Sequence, residues 1–171
     1  MPPTAVKAIR DLIYWEYAKL ISGRAVGDRR NYRFIMYTFK RLQSGKLHPS
    51  TILRENRLVV ETCADCCAYC GGKETLQWEH IIPLCKGGLN TIDNQVLACQ
   101  ACNAAKAGRD PFEWYGLERR YEVPRVVLGK YLKLIYEFHE HQGTLDQADL
   151  NQDGKFDVFD LGFVLKPTSL P

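Results

Sequence analysis

Cys67-Ala-Tyr-Cys70 and Cys99-Gln-Ala-Cys102 bracket Leu76-Gln-Trp-Glu-His-Ile-Ile-Pro83, Leu84-Cys-Lys-Gly-Gly88 and Asn90-Thr-Ile-Asp-Asn-Gln-Val-Leu97, and the second pair runs directly into Asn103-Ala-Ala-Lys106. Each Cys-x-x-Cys sets two thiolates on one tight turn, and 28 residues separate the pairs, so four sulfurs can converge tetrahedrally on one zinc ion. Gly71 and Gly72 supply the turn that bends the first knuckle around a metal. A doubled Cys-x-x-Cys with no signal peptide favours zinc over disulfides or simple buried thiols. Cys63 and Cys66 form a third such pair abutting the first, so the ligand set can shift by one knuckle. The glycine turn after Cys70 selects Cys67, Cys70, Cys99 and Cys102. Cys85 reads as a small apolar residue.

Between the knuckles, Leu76 to Ile82 is apolar and β-branched enough for a strand, Gly87-Gly88 suits a turn, and Gln95 to Ala98 can return as a second strand. A helix is expected from near Ala101. Such a unit buries little apolar surface, and zinc would staple it. A neutral imidazole titrates near working pH, which suits His80 to activating a water as general base. Oxygen ligands from Glu79 and Asn103 suit magnesium or manganese.

These motifs resemble the HNH endonuclease family, whose pattern is an acidic-His-x-x-Pro strand, a Gly-Gly turn, an Asn-bearing loop and a Cys-x-x-Cys-Asn-x-x-Lys helix. The likeness covers about residues 66 to 115, with His80, Asn94 and Asn103 standing 14 and 9 residues apart. Arg109-Asp-Pro-Phe-Glu-Trp114 is similar to the tail many members carry. One departure is Glu79, where many members have aspartate. The resemblance implies a ββα-metal centre that hydrolyses DNA, with catalytic residues His80, Glu79, Asn94 and Asn103. Asn94 would brace the loop bearing the histidine, and Glu79 and Asn103 would hold the catalytic cation.

Charge is uneven along the chain. Residues 1 to 62 contain twelve Lys or Arg against five Asp or Glu, whereas residues 63 to 142 contain nine against ten and residues 143 to 171 two against five. A basic N-terminal third is what a segment lying on a DNA backbone shows. Arg29, Arg30, Arg33, Lys106 and Arg109 are the expected DNA contacts, against the plainer alternative of solvated helix charges. Val6, Ile9, Ile13, Tyr17 and Leu20 repeat at helical spacing, as do Phe34, Ile35, Phe39 and Leu42, so two amphipathic helices with core-facing aromatics are expected. Residues 125 to 142 read as a further helix closed by Gly143, with His139 and His141 as capping or surface residues. The charges in the first helix exclude a signal peptide or membrane span, and the expected location is intracellular.

Asp149-Leu-Asn-Gln-Asp-Gly-Lys-Phe-Asp-Val-Phe-Asp160 has the spacing of a calcium loop, with Asp149, Asn151, Asp153, Lys155, Asp157 and Asp160 as ligands. It resembles the dockerin type of EF-hand more than the calmodulin type, and only one repeat is present. The fold class expected is α+β: a small ββα-metal nuclease centre stapled by a four-cysteine zinc site and flanked by helices from both ends. Its parts would be a basic helical region at 1–62, the nuclease core at 63–115, a helix at 116–143 and a tail with the calcium loop at 144–171. The function expected is DNA endonuclease with structural zinc, catalytic magnesium or manganese and structural calcium, working on DNA as monomer, homodimer or part of a nucleoprotein assembly. The alternatives are a zinc-ribbon DNA-binding module without hydrolysis and a calcium-dependent interaction protein.

Overall fold

The computed structural model describes residues 2–48 and 65–163. In chain order it contains helices α1 (Ile9–Ala25) and α2 (Tyr32–Gln43), strands β1 (Leu76–His80) and β2 (Gln95–Cys99), and helices α3 (Gln100–Lys106), α4 (Pro111–Arg119), α5 (Arg125–Gln142) and α6 (Phe159–Phe163). This is an α+β arrangement in which a two-stranded antiparallel hairpin and α3 form a small ββα unit. No helix among the described residues is long and apolar enough to cross a membrane.

The amphipathic reading of α1 gives way to a helix buried on most of its circumference. Leu12, Trp15 and Ala18 are buried along with Ile9, Ile13, Tyr17 and Leu20, and so are Glu16 and Lys19. The cause is position, because α1 packs against α2, α5 and α6 at once. Its N-terminus has no side-chain cap, and its first amides instead donate to a distant segment, Ile9 N to Gln147 O and Arg10 N to Leu145 O at 2.8 Å each. The C-terminal part of the chain thereby closes the start of the first helix. On α2, Asn31 caps the first turn by accepting from Phe34 N, and Ile35, Phe39 and Leu42 enter the core. The aromatics of α2 divide: Phe39 is buried edge-on to Trp15, whereas Tyr32 and Tyr37 are more than half exposed.

His139, expected to cap the helix or lie at the surface, is fully buried on α5. Its Nδ1 meets Thr144 Oγ1 at 2.7 Å and its Nε2 meets Leu161 O at 3.0 Å, which ties α5 to α6. His141 is exposed.

In the hairpin, Leu76 pairs with Cys99, Trp78 with Leu97 and His80 with Gln95. Side chains alternate across the ribbon. Glu79, Val96 and Ala98 therefore face inward and are buried, while Trp78 and His80 share the outer face with Gln95. The strand stops at His80, two residues short of the sequence expectation, and Ile81 and Ile82 carry on into the core.

Candidate active site and metal centre

The loop between the strands is set by Asn94, which is fully buried. Its Oδ1 accepts from Ile82 N at 2.9 Å, and its Nδ2 donates to Ile82 O and to Leu89 O at 2.9 and 2.8 Å. One side chain thus clamps both ends of the turn at residues 83–89. Gly88 makes this approach feasible: a Cβ there would lie 2.0 Å from Ile82 O and 2.9 Å from Asn94 Nδ2. Gly87 beside it takes a left-handed φ of 85°. The two glycines of the turn therefore serve different needs.

The clamped turn holds Asn90 against His80. His80 Nε2 lies 2.9 Å from Asn90 Oδ1, and Gln95 Nε2 lies 3.0 Å from both atoms. With Nε2 protonated, Nε2–H and the Gln95 amide can both donate to Asn90 Oδ1. That tautomer leaves the lone pair of His80 on Nδ1.

Glu79 points the other way, into the interface with α3 and the first knuckle. Its Oε1 accepts from Lys106 Nζ at 2.5 Å and its Oε2 from the Tyr69 hydroxyl at 2.6 Å, with 4 % of the side chain exposed. Lys106 Nζ also donates to His80 O at 2.9 Å. The DNA-phosphate contact expected of Lys106 does not fit this position, because the side chain is fully buried. Four residues beyond Cys102, α3 turns the lysine toward the ribbon rather than toward solvent. Burial lowers its pKa against the pull of Glu79 and raises that of Tyr69, which Glu79 raises further. Trp114 packs edge-on against Tyr69 at 4.9 Å. Despite facing inward, Glu79 reaches the end of the ribbon, where it lines one open cleft of about 180 Å³ with His80, Asn103, Pro83 and Leu84.

The remaining expected DNA contacts separate. Arg29 Nη1 donates to Tyr121 O and Val123 O at 3.0 and 2.7 Å, so it pins a loop inside the molecule. Arg30 and Arg33 are exposed. Arg109 is exposed as well, with its guanidinium closing α3 through Ala105 O and Lys106 O. The tail at 109–114 begins α4: Asp110 accepts from Phe112 N and Glu113 N, Glu113 Oε2 accepts from Asp110 N, and Pro111 sits at the first helical position. Glu113 also pairs with Lys86 from the clamped turn.

The thiols of Cys67, Cys70, Cys99 and Cys102 all lie within 4.8 Å of one another, with Cys70 and Cys99 Sγ 3.7 Å apart. This spacing suits four ligands around one zinc ion. Gly71 turns the first knuckle with a φ of 75°. Burial opposes ionisation of Cys67, but backbone hydrogen bonds from Cys99, Cys70 and Tyr69 bring its thiol down to about 7, and burial with the neighbouring thiols pushes Cys102 up. Cys66 stands outside the quartet, and Cys63 lies outside the described residues. Cys85, read as a small apolar residue, is exposed in a short 3-10 turn. The Asn90 and Gln95 partners of His80 and the Tyr69 partner of Glu79 carry no sequence signal of their own. Only the cross-strand position of Gln95 follows from hairpin register.

In the C-terminal loop, Asp149 Oδ2, Asn151 Oδ1 and Asp153 Oδ1 accept from Gly154 N, Asp153 N and Lys155 N, while Asp160 accepts from Asn151 N and Asp157 N. Asp149 Oδ1 is buried without a hydrogen-bond partner among the described residues.

No curated protein and no solved structure gives a significant match to this chain. Residues 67–109, about a quarter of its length, match the model of the HNH endonuclease family, and that match together with the four-cysteine cluster fits an HNH domain of the zinc-knuckle kind, with a nuclease or DNA-binding role.

Proposed function

We propose that this chain is a metal-dependent endonuclease that hydrolyses DNA phosphodiester bonds, with a structural zinc on Cys67, Cys70, Cys99 and Cys102. The observation that carries this is the single cleft onto which Glu79, His80 and Asn103 all open. His80 takes the proton of the attacking water at Nδ1, since Asn90 engages Nε2. Glu79 and Asn103 offer hard oxygen donors for magnesium or manganese, and each Glu79 oxygen keeps a second lone pair after accepting from Lys106 or Tyr69. Such a cation, when bound, neutralises charge developing on the phosphate and the departing 3′ oxygen. Asn94 fixes the loop that presents Asn90, and Lys106 fixes the strand end through Glu79 and His80 O. Arg33 and Arg109 remain exposed and suit DNA phosphates.

A second reading, a zinc-ribbon DNA-binding module without hydrolysis, is favoured by the ion pair that already neutralises Glu79. Supercoiled plasmid incubated with magnesium, manganese or EDTA separates the two. An endonuclease relaxes or linearises the plasmid only with the divalent ion, whereas a binding module retards it intact with magnesium or manganese present.

The loop from Asp149 to Asp160 is proposed to take calcium as a structural ion, with Asp149, Asn151, Asp153, the Lys155 carbonyl, Asp157 and Asp160 as ligands. Support comes from Asp149 Oδ1, a buried oxygen that meets no hydrogen-bond donor among the described residues.

A further inference from the structure

A cavity of about 370 Å³ opens between α1, the start of α2 and the turn Arg120–Glu122. None of the residues of the candidate cleft line it. Its wall combines two features that seldom meet in a packing defect. One is aromatic: Trp15, Tyr32 and Tyr121 all face it, with Trp15 and Tyr32 edge-on at 6.1 Å. The other is charge. Glu16 and Lys19, both more than nine-tenths buried, form an ion pair at 2.5 Å on the helix face that lines the cavity.

Around Tyr121 three cations gather, with Lys19 Nζ 5.3 Å, Arg30 Cζ 4.9 Å and Arg120 Cζ 4.7 Å from the ring centroid. Each is attracted by the ring face, but they repel one another. Glu16 and Asp157 are the only carboxylates among the lining residues, and Glu16 already serves Lys19, so positive charge is in surplus. Among the described residues the Arg30 guanidinium meets only the Tyr121 ring, which leaves its N–H groups for a ligand.

We propose that this cavity is a nucleotide-binding pocket, with the base inward against Trp15 and Tyr32 and the phosphate outward at Arg30, while Arg120, which already donates to Leu117 O and the Tyr121 hydroxyl, adds its charge. The size lies within the range of about 300–1,000 Å³ usual for small-molecule sites. Aromatic rings accept the face of any nucleobase. The Glu16–Lys19 pair sets an acceptor beside a donor, and the Watson–Crick edge of every nucleobase sets a donor beside an acceptor. A phosphate would relieve the repulsion at the rim and accept from the arginine fork. The same chemistry could arrive as a free mononucleotide or as one nucleotide of a DNA strand.

Calorimetric titration of the full zinc-loaded chain tests this, using the four common nucleoside monophosphates, their nucleosides, inorganic phosphate and a short single-stranded oligonucleotide. The expected result is saturable binding of at least one monophosphate, weaker binding of its nucleoside and none of phosphate alone. Arg30→Ala, on an exposed side chain that leaves the core untouched, should weaken the nucleotide about tenfold, as expected for loss of one charge-assisted contact, and leave the nucleoside unchanged. Glu16→Gln should change the preference among bases, with its melting curve as the check on folding. Binding of the oligonucleotide alone, weakened by Arg30→Ala, would assign the pocket to a nucleotide of a DNA strand. The proposal is overturned if no nucleotide or oligonucleotide binds, if inorganic phosphate binds as tightly as the nucleotide, or if Arg30→Ala and Glu16→Gln both bind like the unaltered protein.

Discussion

Lys106 Nζ lies 2.5 Å from Glu79 Oε1, and neither side chain is more than 4 % exposed. A closed ion pair thus lies behind the cleft, with Glu79 of the two in its lining. Removing one partner of such a pair leaves an uncompensated buried charge, typically at a cost of about 3–5 kcal/mol. Lys106→Met should therefore destabilise the zinc-loaded protein by roughly that amount in urea unfolding. The double variant Lys106→Met, Glu79→Gln should recover much of the loss, because it removes the charges together. A double variant no more stable than the single one would show that the charge pair is not the source. If Lys106 instead contacted phosphate, its loss would leave stability alone and flatten the salt dependence of DNA binding.

The thiol quartet makes a separate prediction. Metal binding energy is also folding energy in small zinc units, where apparent values of about 10–16 kcal/mol are typical. Cys70→Ser and Cys102→Ser should each lose zinc, measured by metal analysis, and lose the protection of the β1–β2 hairpin amides against hydrogen exchange. Full zinc occupancy in both variants would move the ligand set toward Cys63 and Cys66.

The hairpin, its turn and the knuckles are legible in the sequence because their signals are local. Cys-x-x-Cys spacing, paired glycines and a short β-branched run each act within a few residues. The fate of charged side chains is not legible. Lys106 and Arg29 look like solvent-facing cations in sequence, yet one reaches Glu79 across 27 residues and the other reaches backbone carbonyls more than 90 residues away. The same holds for α1, whose apolar stripe is real but whose remaining faces are buried by helices from the other end of the chain. His139 escapes a sequence reading for a like reason, since α6 and the Thr144 turn close over it.

His139 yields a pH dependence. Burial lowers its pKa below the ordinary 6.5, against the opposing effect of Leu161 O. The unfolded chain then binds a proton on this residue at a higher pH than the folded chain does. Stability from the neutral imidazole is fully present above pH 6.5 and is lost as pH falls from there through the folded value. The slope tends toward about 1.4 kcal/mol per pH unit for one group. His139→Gln, which can still donate to Leu161 O, should flatten the fall of the melting temperature as pH drops below 6.5, relative to the unaltered protein. Equal acid sensitivity in both proteins would assign the effect to other groups.

Calcium should raise the melting temperature through the C-terminal loop. Because Lys155 contributes only its carbonyl, Lys155→Ala should keep the response. Asp149→Ala, Asp153→Ala should abolish it while leaving magnesium-dependent cleavage intact, as neither residue lines the cleft. A melting temperature indifferent to millimolar calcium in the unaltered protein would reduce the loop to a glycine-centred acidic turn.

The base and the residue that orients it can be separated by their kinetic effects. His80→Ala should keep zinc and fold but lower the cleavage rate by ~10²- to 10⁴-fold, the usual contribution of a positioned general base. Asn90→Ala leaves the imidazole in place and removes the acceptor that fixes Nε2–H, so the ring can turn and either nitrogen can hold the proton. The loss should be smaller, about tenfold, and should fall on kcat with KM unchanged, since Asn90 orients the base without being proposed to hold substrate. Asn90→Asp should recover part of the rate, because its carboxylate still accepts from Nε2–H. It should also shift the acidic limb of the pH–rate profile upward, because a neighbouring negative charge favours the imidazolium. An Asn90→Ala protein with unchanged kcat would show that this hydrogen bond does not orient the catalytic ring.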